Sequence, residues 1–144
     1  MFDPLTIALF IGASFVSAFL WIFIHEFSHA AFAWFMGAEI THFRPYPNRL
    51  PGDNGPYWVL GSVGYMYPPD GEHPKDRWVF ASPLFFSIPL AFLSLHLVAS
   101  MRLAYFFPFF YFFTLDIVTW MLDYVRQNNP RTDGYRFRNY EKNS

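Results

Sequence analysis

No cysteine occurs in the 144-residue chain, so neither a disulfide framework nor a thiolate metal site can form. Any metal must be held by His, Asp or Glu. Charge is scarce too. Asp, Glu, Lys and Arg make up 15% of the residues, and most of them crowd into two polar stretches. No basic stripe runs through them, so nucleic acid is not an expected partner. The N-terminal Met1-Phe2-Asp3-Pro4 lacks the positive n-region of a cleavable signal peptide, and the apolar run behind it is far longer than a signal core. That run is expected to stay in the membrane. No internal repeat is visible, and the length leaves room for one domain.

What abounds is apolar surface: 53% hydrophobic and 24% aromatic residues, heavy for a soluble domain. The expected fold is an α-helical integral membrane protein. Three transmembrane helices are expected at about 5–36, 78–100 and 103–125, in a single membrane domain covering 1–125. The first is long enough for roughly 48 Å of helix, more than a bilayer core needs, so it must tilt, kink or overrun the lipid. Pro83, Pro89 and Pro108 fall inside the later segments, tolerable where neighbours satisfy the freed carbonyls. Met101-Arg102 alone separates the second and third segments, which predicts a tight antiparallel hairpin. A β-rich insert of about 38–68 lies between the first and second. There, extended stretches at 39–43 and 57–67 flank the turn-rich 51–56 and predict a small hairpin or sheet. The basic, polar 126–144 reads as a partly disordered cytoplasmic tail.

Lys and Arg set the orientation. Arg44, Arg49, Lys75, Arg77, Arg126, Arg131, Arg136, Arg138 and Lys142 fall on one side, and only Arg102 on the other. By the positive-inside rule the N-terminus lies outside and the C-terminus in the cytoplasm of a plasma or inner membrane.

The first segment carries His25-Glu26-Phe27-Ser28-His29. On a helix, i and i+4 share a face, so the two imidazoles can bind one ion, with Glu26 placed to act as general base on a water. An accidental structural cluster is the bland alternative. Insertion costs roughly 2–3 kcal/mol per charged group at bilayer depth, and metal binding would offset it. A third ligand can be sought by depth. The pair sits roughly 12–18 Å from the helix end near Gly37, and Asp116 lies at a matching depth of roughly 13–14 Å in the third segment. Asp123 is nearly two turns closer to the surface and is the weaker candidate, suited to capping the helix exit or facing headgroups. Two His and one carboxylate leave a position open for water, the pattern of a catalytic Zn²⁺. His96 reads as a helix-packing histidine, and His42 and His73 as surface residues.

The chain resembles the site-2 protease family of intramembrane zinc metalloproteases over roughly residues 20–120. His25 to His29 is followed by Gly37-Ala38, similar to the family's HExxH helix ending in Gly-Ala. Gly61, Gly64, Tyr65 and Met66 resemble its glycine-tyrosine strand, and Ala81-Ser82-Pro83-Leu84 its Ala-Gly-Pro stretch. Leu115-Asp116 falls where its Leu-Asp-Gly supplies the third zinc ligand. Ile117 stands in place of that glycine, no Asn-Pro precedes Asp116, and Ser87 stands where an asparagine is common. With no PDZ or CBS domain in the chain, regulation through an appended module is not expected.

The resemblance implies a protease with a membrane-protein substrate, Zn²⁺ on His25, His29 and Asp116, and Glu26 as the catalytic base. A strand near 57–67 would hold the substrate extended. The departures motivate an alternative from another class, a non-catalytic subunit that assembles into a larger membrane complex.

Overall fold

A computed structural model of the chain describes residues 3–51, 55–68, 77–100 and 104–143. Helix α1, Pro4–Phe35, is one uninterrupted helix of 32 residues. Asp3 caps it by accepting the Thr6 amide at 2.9 Å, and Pro4 costs nothing in a first turn whose amide is unpaired anyway. The helix stops where Gly37 takes φ 91°, open to glycine without strain, and Ala38 N–H returns to the Ala33 carbonyl.

The insert forms two separate two-stranded antiparallel sheets, one more than expected. Strand β1, Glu39–Arg44, pairs with β4, Ser62–Met66; β2, Asn48–Leu50, pairs with β3, Tyr57–Val59. The extended stretch 57–67 is thus split in two at Leu60-Gly61. Residues 52–54 of the proposed turn lie outside the described residues, as do Met101-Arg102 and His73.

Helix α2, Arg77–Ser100, packs against both α1 and α3, Phe107–Arg126. Small residues line its buried face (Ala81, Ser82, Ser87, Ala91, Ser94), which lets helix backbones approach closely. The third segment opens with a 3₁₀ turn, Ala104–Phe106, because Pro108 suits the first turn of α3 and not its interior. All three helices are long and apolar enough to cross a membrane. Large side chains such as Phe15, Phe19 and Phe92 stay 56–74% exposed on the outside, which leaves a surface suited to lipid.

The tail departs from expectation. Gln127 turns the chain off α3 with φ 55°, and helix α4, Asp133–Asn143, folds back against α2 and α3. A Cβ on Gly134 would collide with the backbone of Trp120 and Tyr124, so glycine is what permits this contact. Phe137 then packs edge-on to Trp78 and tilted against Trp120 and Tyr124. Composition made 126–144 look like a tail because its hydrophobic residues are few, but one of them, Phe137, packs into an aromatic seam on α2 and α3.

Candidate metal centre

The two histidines lie one turn apart on α1, and their rings meet nearly at right angles. Each is tied by its Nδ1. His25 Nδ1 donates to Asp116 Oδ1 at 2.9 Å, and Asp116 Oδ2 accepts the Ser87 hydroxyl. His29 Nδ1 donates to the Val79 carbonyl at 2.7 Å. That carbonyl is free because Pro83, four residues on, has no N–H to offer it; the Ser82 hydroxyl takes its other lone pair at 2.7 Å. A proline inside α2 therefore supplies the acceptor that orients a histidine on α1.

With both Nδ1 atoms donating, the Nε2 atoms of neutral rings carry lone pairs. These two atoms face each other at 3.3 Å. A third acceptor joins them: Asp133 Oδ2 lies 3.2 Å from His25 Nε2 and 3.1 Å from His29 Nε2. Three electron-pair donors converging at such distances repel unless a cation sits among them, either a shared proton or a metal ion. Among the described residues, His25, His29 and Asp133 form the one group whose ligand atoms could hold a metal. The donor chemistry fits zinc, which accepts two imidazoles and a carboxylate.

Asp133 opens α4. Asn129 Oδ1 accepts the Arg131 amide at 3.1 Å, and the Asn129 carbonyl accepts the Thr132 hydroxyl at 3.0 Å, a side-chain-braced turn that aims the next residue inward. Burial works to raise the Asp133 pKa. When a proton shared among the two Nε2 atoms and Asp133 fills the cluster, the positive charge and hydrogen bonds it brings outweigh burial and hold the carboxyl well below the usual range.

Glu26 is buried beside the pair and packs under the Gly61 backbone; a Cβ there would fall 2.5 Å from Glu26 Cγ. Glu26, His25, Asp133 and Gly61 line two clefts that meet at the cluster.

Of the residues singled out from sequence, His25, Glu26, His29 and Asp116 do come together. Asp116, though, is placed on the far ring nitrogen of His25, so it positions the ring while Asp133 completes the donor set. Depth along the helices brought Asp116 to the right level without saying which nitrogen it would meet. Asp123 lines the larger cleft and is not in the donor set. His96 is exposed, bonded within α2 to Ser100 at 3.1 Å, and not a packing residue. His42 is half-buried with its ring against Gly64 and is not a plain surface residue. Asp133 itself was missed, although Asn129-Pro130 upstream and Gly134 behind it supply the glycine and Asn-Pro absent around Asp116. No protein-family model, curated protein or solved structure matches the chain.

Proposed function

We propose that this chain is an intramembrane zinc metalloprotease that hydrolyses a peptide bond in or near a transmembrane segment of another protein. The observation that carries the reading is the convergence of two imidazole Nε2 atoms and the Asp133 carboxylate beside a buried Glu26. The Asn129-Pro130 and Asp133-Gly134 pairs remove two of the three departures that favoured a non-catalytic relative of the site-2 protease family.

His25, His29 and Asp133 would hold the zinc, with Asp116 and the Val79 carbonyl fixing the tautomers. A zinc ion held there would supply Lewis-acid chemistry and a more acidic water, with a pKa of roughly 7. Glu26 takes the proton of the attacking water and returns it to the departing amine. Each described strand has one partner, so β3 and β4 both keep an edge to which an unwound substrate segment can add. Three helices long and apolar enough to cross a membrane support a membrane location for this chemistry, and the Lys and Arg bias favours an orientation with the α4 side cytoplasmic.

Replacing Glu26 with Gln should abolish cleavage of a transmembrane test peptide in detergent micelles while the purified protein keeps one equivalent of zinc. Unchanged cleavage by that variant would overturn the reading. A stable partner complex that yields no cleaved product would instead favour the non-catalytic subunit.

A further inference from the structure

The two clefts that meet at the donor cluster differ in chemistry. The larger, about 460 Å³, is walled chiefly by Trp21, Ile22, Leu115 and Trp120, residues within the spans of α1 and α3, with Asp123 and Arg131 also on its lining. The smaller, about 210 Å³, runs the other way, past the first turn of α2 at Val79 and Phe80, and is walled by Tyr57, Arg131 and Arg136. One leads into the apolar layer and the other toward its polar end.

The two arginines are held by their faces. The Arg131 guanidinium stacks 4.0 Å from the Tyr57 ring centre, and Arg136 lies 5.6 Å from that of Phe80. Arg136 Nε also donates to the Pro130 carbonyl at 3.4 Å. Stacking of this kind fixes a guanidinium plane and leaves N–H groups along its edge for an anion. Among the described residues neither arginine pairs with a carboxylate, because every ion pair found joins His25 or His29 to Asp116 or Asp133. Arg131 and Arg136, in no ion pair among the described residues, thus wall the smaller cleft beside Glu26 and Asp133, and the mainly apolar larger cleft opens from the same cluster with Arg131 at their shared border.

Resting on the protease reading above, we propose that the site selects peptide bonds at the junction between an apolar stretch and an acidic residue. The apolar side chain fills the larger cleft, and the carboxylate of a Glu or Asp on the other side of the bond meets Arg131 and Arg136. Such a rule is selective for a physical reason. Membrane spans ordinarily end in Lys or Arg on the cytoplasmic side, and these cations would be repelled from the smaller cleft. Arg131 and Arg136 are then specificity residues for the reaction.

The test uses three fluorescent peptides identical but for one position: a leucine-alanine run, then Glu, Gln or Lys, then a polar tail. Binding is measured by anisotropy to the zinc-loaded Glu26→Gln variant in detergent micelles. The Glu peptide should bind roughly tenfold more tightly than the Lys peptide, with Gln between, the size of a charged hydrogen bond in a partly dry site. Replacing both arginines by glutamate should invert that order, whereas a merely disturbed fold would weaken all three alike. Equal binding of the three peptides overturns the proposal, as does a Glu preference that survives the double charge reversal. Cleavage of the Gln peptide by the unmutated protein is read separately. If it fails while the Glu preference holds, the protease reading falls and the acidic-residue site stands; cleavage without any preference does the reverse.

Discussion

The donor cluster has two halves, and they are built in opposite ways. The histidine half belongs to a continuous 32-residue helix. Its spacing is fixed by the helical turn, and each ring is locked by a neighbour: Asp116 on α3 for His25, the Val79 carbonyl on α2 for His29. The carboxylate half is the first residue of an 11-residue helix, joined to α3 by residues 127–132 and held down by one glycine contact and an aromatic seam. One half is preorganised by the bundle; the other exists only while a short segment is docked. On the proposed metal reading, binding of the ion and docking of α4 would be one equilibrium, since a ligand that binds only the docked form stabilises it.

The largest effect separates the halves from their support. His29→Ala and Asp133→Ala should each reduce the zinc of purified protein from one equivalent to background. Asp116→Ala should keep the metal at saturating zinc but weaken it roughly 10–100-fold, as expected for a group acting through a ligand. Metal analysis and a chelator competition give both numbers. The comparison breaks if Asp116→Ala empties the site while Asp133→Ala leaves it full.

Next comes the docked half alone. Gly134→Ala forces a Cβ into the backbone of Trp120 and Tyr124, a clash worth roughly 1–3 kcal/mol against docking. Zinc affinity should fall roughly five- to a hundredfold by the linkage above, with helix content by circular dichroism nearly unchanged. Normal affinity in this variant would mean that α4 docking does not carry Asp133.

A smaller effect addresses the rigid half. Pro83→Ala gives α2 back an amide that competes with His29 for the Val79 carbonyl. Thermal stability should hold or rise while zinc affinity drops by roughly threefold to tenfold, within reach of lost tautomer control. The opposite signs are the diagnostic; a loss of both would point to packing around Pro83, which is fully buried.

Much of this arrangement could be read along the chain. The three apolar helices were legible because burial of backbone polar groups in an apolar layer demands long helical runs, and such runs are conspicuous. The His25 and His29 pair was legible because helical periodicity is local. Two things were not. The insert was read as one hairpin or sheet, since strand pairing depends on which of several short segments meet; β1 chose β4 across the intervening β2 and β3. Asp133 was assigned to a tail because composition alone cannot show that Phe137 and Gly134 fit the surface of α3.

Sequence by itself determined the length and apolarity of the helices and the i, i+4 histidine pair with Glu26 beside them. All of these follow from backbone geometry and hydration within a single segment. Tertiary structure alone decided which acid meets which nitrogen. Asp116 and Asp133 are chemically alike, and only the direction in which each ring is turned, by a proline-freed carbonyl on one side and a carboxylate on the other, sets one against Nδ1 of His25 and the other against the two Nε2 atoms.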